Sequence, residues 1–533
     1  MLKLIFSLAL SAFVLTASAQ GGTADAAQSH TECVNPVLWA DVPDPDVIRV
    51  GEDYYMVSTT MHLMPGVPVM HSRDLVHWET IGYVYDKLAD TPLYDLEGGT
   101  VYGRGQWATS IRYHKGTFYL LFSPNDQPYR SYIYTAQNPA GPWTLRCRTN
   151  HFHDASLFID DDDRPYVFYG TGQVAELNKD FSGLKEGGLR TTLFQRDSTE
   201  TGLLEGSRVI KKDGKYYLLM ISWPAGQKRR EVCYRADSIT GPYEKQVILL
   251  DNFKRFGYVG QGTIVDDVNG NWYGVIFQDR GGVGRVLTLE PCRWKDGWPM
   301  LGDADGRVPE RFDVPLPPCP TERGIVGSDD FTATTLGNEW QWNHNPVNSM
   351  WSLTERPGWL RLKTSRITDN IFLAPNTLTQ RMTGPECEAT VCLDVSALRD
   401  GDVCGLSAFN GDAALLSIVQ EGKRRTLQLS FESVELTDPG KRVTDVKKEV
   451  IASVPVKAER VWLRIHGDFN LGKDLATFAY STDGKTFRSV GKDFKMRFDF
   501  RRFFMGTKFA IYCYATRQAG GWADVDSFIL KQK

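Results

Sequence analysis

The chain has 533 residues, a formal net charge of −4, and 42% hydrophobic and 24% charged residues. That length exceeds one ordinary core, so two or three domains are expected. A near-balanced charge with no basic stripe argues against nucleic acid as a partner.

Residues 1–19 read as a secretory signal peptide. Lys3 supplies the charged start, an apolar run follows to Leu15, and Ala17-Ser18-Ala19 forms the small-residue cleavage site before Gln20. The apolar run is too short to span a bilayer, so no membrane anchor is expected. The reading is an exported protein, periplasmic or extracellular. Residues 20–31 are small and polar and read as a leader.

Between Asn35 and Pro299 one pattern is written five times: a short apolar run, a polar turn, an aromatic position, and a second apolar run. PDVIRVGEDYYMVSTT, SIRYHKGTFYLLFSP, SLFIDDDDRPYVFYG, LLEGSRVIKKDGKYYLLM and TIVDDVNGNWYGVIF carry it. Each reads as a β-hairpin, with turns such as Asp213-Gly214. The repeats align on Tyr55, Tyr119, Tyr166, Tyr217 and Tyr273, at spacings of 64, 47, 51 and 56 residues. Irregular repeats of about 50 residues holding several short strands predict propeller blades. The fold class is therefore all-β, with a five-bladed β-propeller over 33–301. Outer segments such as TAQNPAGPWTL and RADSITGPYEK supply later strands of the blades. An insertion at 86–105 is long for a blade connection and is placed to wall a pocket.

Residues 302–326, rich in proline and charge, read as a linker. From 327 to 533 alternating segments such as WLRLKT, TLQLSFE and VWLRIHGD predict an antiparallel β-sandwich. Nine scattered cysteines form no Cys-x-x-Cys or Cys/His cluster, so structural zinc is not expected. One disulfide remains open after export.

The blade reading converts sequence positions into a site. Eleven or twelve residues before the marker tyrosines stand Asp44, Trp107, Asp154, Glu205 and Gln261. In a propeller this is where each innermost strand begins, so the five side chains converge on one end of the axis. Two carboxyl groups facing each other across a sugar can cleave a glycosidic bond, one protonating the leaving oxygen and the other activating water or attacking directly. A third carboxylate beside the acid helps keep it protonated. Asp44, Asp154 and Glu205 supply three; their alternative reading is as strand-end or turn acids. The four aspartates at 160–163 match no calcium loop and read as solvated.

At these residues the chain resembles glycoside hydrolase family 43. Asn35-Pro36-Val37-Leu38 with Pro43-Asp44-Pro45 is similar to the family's base motif, Phe152-His153-Asp154-Ala155-Ser156-Leu157-Phe158 to its modulator motif, and Leu204-Glu205-Gly206-Ser207 to its acid motif. The resemblance implies Asp44 as base, Asp154 as modulator, Glu205 as acid, and Arg285, after Gly284, as a sugar contact. It also likens the C-terminal half to the concanavalin-like module that packs on the propeller of xylosidases and arabinofuranosidases and can cap the pocket. Where many members carry a pocket histidine linked to a metal or water, this chain has Gln261. No catalytic metal or other cofactor is expected, and calcium is doubtful.

Candidate sugar contacts are Trp107, Trp223, Arg285, Gln261 and His62. Trp107 reads equally as a core residue, and His62 as a surface histidine. Asp46 reads as a turn or capping carboxylate. The expected function is an exo-acting, inverting release of terminal L-arabinofuranose or D-xylose from plant polysaccharide or its oligosaccharides. An endo-arabinanase and a non-catalytic sugar-binding protein are the alternatives. A fructan hydrolase lacks support because its W-M-N-D-P and R-D-P motifs are missing.

Overall fold

The computed structural model describes residues 29–437 and 441–533. The predicted signal peptide lies outside the described residues. Five four-stranded antiparallel sheets follow one another in the chain. Their first strands are Asp46–Val50, Gln106–His114, Ser156–Ile159, Leu203–Lys212 and Val259–Asp266. Each first strand lies against the next, and the fifth lies against the first, so the ring closes. All five marker tyrosines fall on second strands, opposite Ile48, Arg112, Phe158, Ile210 and Val265. The regular repeat of hairpin and aromatic thus becomes the regular geometry of blades.

Among the described residues no blade takes a strand from the other end of the propeller. Closure instead uses the segment before blade one. Leu38 bridges Leu287, the Val42 N–H donates to the Arg285 carbonyl at 2.8 Å, and Asn35 bonds the backbone of Leu289 in both directions.

The axis is polar and closely paired. The Asp46 carboxylate, fully buried, accepts from the Ile111 N–H at 3.0 Å and from Arg112 at 2.7 Å. Arg112 also donates to Ser156 Oγ and the Val209 carbonyl. Arg208, also fully buried, donates to the carbonyls of Asp44, Pro45 and Thr109. These two guanidiniums tie blades together from inside, each satisfied by several acceptors, as burial of a charge requires. Asp46 is therefore an axial ion-pair partner, which corrects its reading as a turn carboxylate. Asp160 is likewise not solvated. It is buried, with Lys211 Nζ and Tyr216 Oη each at 2.6 Å.

The predicted linker is docked. Arg311–Val314 pairs antiparallel with Thr31–Val34, at the end of the predicted leader, and Val314, Leu316, Ile325 and Val326 pack into a core shared with blades one and five. Two eight-stranded sheets then form the sandwich. One of them takes its edge strand from the propeller: Leu63–Met64, in a blade-one loop, pairs with Gln341–Asn343. The insertion at 86–105 docks on the sandwich as well. Tyr102 Oη donates to the Phe372 carbonyl at 2.8 Å, and His344 Nε2 accepts from the Val101 N–H. A continuous hydrophobic cluster runs from blades four and five into the sandwich, so the two halves share a core. All nine cysteines are free thiols.

Candidate active site

Asp44 and Asp154 leave their blades in the same way. Each stands two residues before its first strand, and each adopts a left-handed backbone conformation, φ 54° and 45°. Such a conformation is uncommon for a residue with a Cβ and turns the side chain out of the strand's alternation. Both carboxyls are largely buried. Asp44 Oδ2 accepts from the Thr59 hydroxyl at 2.6 Å, and Oδ1 faces Arg285 Nη1 at 3.5 Å.

Blades two, four and five use another device. Their first strands bulge between Gln106 and Thr109, between Glu205 and Arg208, and between Val259 and Gly262. Trp107, Glu205 and Gln261 sit in or at these bulges, which re-aim side chains that strict alternation would misplace. Gly206 in the second bulge has φ +77°, and a Cβ there would lie 2.6 Å from Gln261 Oε1. Glycine is what lets blade five approach the Glu205 backbone.

His153 joins two of the acids. Its Nε2 is 3.1 Å from Glu205 Oε2 and 3.9 Å from Asp154 Oδ2. The charge of Asp154 raises the imidazole's pKa against the opposing effect of burial, with Glu205 adding to the rise. Burial pushes the Asp154 carboxyl up; His153 and Arg208 oppose this, and Glu205 and Asp44 reinforce it. His153 and Asp154 are thus in direct electrostatic contact, each shifting the other.

The sandwich completes the pocket. Arg285 is buried, and its Nη2 donates to the Phe504 carbonyl at 3.0 Å while its guanidinium lies 4.5 Å from the Phe504 ring. Trp107 stands between the halves, its ring 5.8 Å from His153 and 5.7 Å from Phe504. Gln261 is buried beside Gly206, and its Nε2 has no hydrogen-bond partner among the described residues. Trp223 is 37% exposed at the rim of the acid's blade.

His62 is elsewhere. It is 1% exposed, packed against Tyr102, His344 and Phe503 under the sandwich, and burial pushes its pKa down to about 3. A sugar contact at His62 is therefore corrected to a neutral interface histidine. Sequence reasoning missed His153, Arg208 and Phe504 as site residues. Only His153 carried a local signal, its place beside Asp154.

One group among the described residues could gather a metal ion: His153, Asp154 and Glu205 offer ligand atoms within 4.8 Å of one another. An ion there would take up an oxygen of Glu205. The arrangement suits a proton relay: carboxyls on three blades, an imidazole between two of them, and a guanidinium fixing the third.

The family model described as glycosyl hydrolases family 43 matches residues 33–299. The chain belongs to this family. Residues 328–531 match a second family model, the beta xylosidase C-terminal concanavalin A-like domain. Among curated relatives, a beta-xylosidase of Formosa agariphila is 28% identical over 93% of this chain and 89% of its own length. A non-reducing end alpha-L-arabinofuranosidase, BoGH43B of Bacteroides ovatus, is 33% identical over 65% of this chain and 68% of its own. Among solved structures, a bifunctional GH43-CE protein of Bacteroides eggerthii superposes with a TM-score of 0.87 at 39% identity, over 95% of this chain and 64% of that one. Propeller and sandwich together are thus shared with other members of family 43, and the pocket described above lies where both halves meet.

Proposed function

We propose that the chain is an exo-acting, inverting glycosidase that releases terminal D-xylose or L-arabinofuranose from plant hemicellulose or its oligosaccharides. The observation that carries the reading is the convergence of Asp44, Asp154 and Glu205 from three blades on one pocket. Family 43 membership and relatives named as a xylosidase and an arabinofuranosidase support a pentoside substrate.

In this reading Asp44 is the base. Thr59 and Arg285 hold its carboxylate in place. Glu205 is the acid, positioned by His153. Asp154 acts through its neighbours, its buried carboxyl standing beside His153, which in turn meets Glu205. A water on Asp44 attacks the anomeric carbon, Asp44 takes its proton, and Glu205 gives a proton to the departing oxygen. The reading uses no metal: Gln261 stands where many members carry a histidine, and Glu205 must stay free to give its proton. Phe504 of the sandwich stands beside Arg285 and Trp107, and a site walled on that side supports removal of a single terminal unit over attack within a chain. The chain acts after export, in the periplasm or outside the cell, as its first 19 residues suggest.

The direct test is release of p-nitrophenol from p-nitrophenyl β-D-xylopyranoside and α-L-arabinofuranoside. Turnover of either supports the reading. Turnover of neither, with cleavage within linear arabinan, would favour the endo-acting alternative.

A further inference from the structure

Beside the acid, two aromatic rings stand open to solvent. Trp223 is 37% and Tyr258 40% exposed, with ring centroids 4.7 Å apart at an interplanar angle of 43°. Most large aromatic side chains in the propeller are buried, so an exposed touching pair is a feature that calls for a use.

The pair is held rigidly. Trp223 Nε1 donates to the Gln227 carbonyl at 3.1 Å. The Arg229 guanidinium lies 5.5 Å from the Trp223 ring and 5.3 Å from the Tyr258 ring. Arg229 is itself fixed, donating to Asp279 Oδ2 at 3.1 Å and to the Val259 carbonyl. A cation over both faces locks the rings before any ligand arrives.

Their place in the fold relates them to the chemistry. Trp223 pairs in register with Leu203, two residues before Glu205. Tyr258 immediately precedes the blade-five strand Val259–Asp266, whose Gln261 touches Gly206. The rings therefore bridge blades four and five, one step along the strand pair from Glu205. When an acid protonates a glycosidic oxygen, the departing sugar lies on the acid's side of the bond.

We propose that Trp223 and Tyr258 form the surface that receives the leaving saccharide, stacking on a pyranose ring of the chain that remains after the terminal pentose departs. The inference rests on the glycosidase reading above. The rings are specificity-determining: they select pentosides whose leaving group is itself a sugar.

The test compares kcat/KM for xylobiose, xylotriose and arabinofuranosyl-xylobiose with that for the matching glycosyl fluoride, whose leaving group is a single atom. Tyr258→Ala and Trp223→Ala should each lower the saccharide-to-fluoride ratio by about five-fold or more, mainly through KM, as loss of one stacking partner predicts. Tyr258→Phe should keep the parental ratio. An unchanged ratio in both alanine variants, or an equal fall on saccharide and fluoride, overturns the platform. If the parent cleaves saccharides and the ratio does not move, the platform alone fails. If the parent cleaves neither saccharide nor fluoride, the glycosidase reading fails and the platform with it.

Discussion

Arg285 of blade five donates to the backbone carbonyl of Phe504, in the sandwich, at 3.0 Å. The same guanidinium reaches Asp44 at 3.5 Å. One side chain thus couples the candidate base to the second domain. The coupling is reinforced nearby by Asp41, which accepts from the Gly506 and Arg285 N–H groups and pairs with Lys508 Nζ at 3.3 Å. Burial pushes the Asp41 carboxyl up, but Lys508, Arg285 and those two N–H groups outweigh it and hold it below the usual range.

The sandwich should therefore be part of the working enzyme. Phe504→Ala removes a ring 4.5 Å from Arg285 and should lower kcat/KM about ten-fold, the scale of a partly desolvated cation–ring contact, with little change in Tm. A chain ending at Pro320 uncovers the shared core and should aggregate or lose activity. Full activity with parental stability in the shortened chain would make the sandwich a spectator.

Asp44→Asn should keep the fold and sugar binding while cutting kcat by about 10²–10⁴-fold, the contribution of a general base. The amide can still meet Thr59, so circular dichroism and Tm should match the parent. Near-parental turnover would remove Asp44 from the chemistry.

Activity should survive dialysis against EDTA. Gln261 offers a neutral amide where a metal-linked histidine is common, and Glu205 must stay free to give a proton. Loss of activity on chelation, restored by calcium, would show that an ion takes part.

Stability should fall as pH rises across the neutral range. Glu290 is fully buried, and burial raises its pKa from 4.5 to about 8, opposed by the Thr288 hydroxyl. Below about pH 4.5 both folded and unfolded chains carry the proton and no difference arises. Between that point and about pH 8 the unfolded chain releases the proton while the folded one keeps it, so stability drops by up to about 1.4 kcal/mol per pH unit. Glu290→Gln should flatten this part of a Tm-against-pH curve. An unchanged slope would place the group's ionisation elsewhere.

Much of this architecture was legible because it repeats. The five marker tyrosines and the residues eleven or twelve before them aligned without any structure, and that alignment located Asp44, Asp154 and Glu205 at one end of the axis. What did not repeat was not legible. The bulges at Glu205 and Gln261 are two-residue departures from alternation that no periodicity shows. Arg112 and Arg208 look like ordinary strand arginines until the blades close around them. His62 reads as a loop residue, and its burial depends on Tyr102, His344 and Phe503, the last two from the other domain. Phe504 lies almost 300 residues from Glu205 in the chain, so only docking of the sandwich brings it to the pocket.

The central claim is that Asp44 activates a water rather than attacking the sugar. Blades one and four are not neighbours in a five-membered ring, so their acids face each other across the axis, and an inverting pair leaves about 6.5–9.5 Å between carboxyls for that water. Proton NMR of the first-formed pentose tests this most directly. The account predicts an anomer opposite to that of the substrate, with no transfer to methanol. Net retention, or a glycosyl adduct trapped on Asp44, would contradict it.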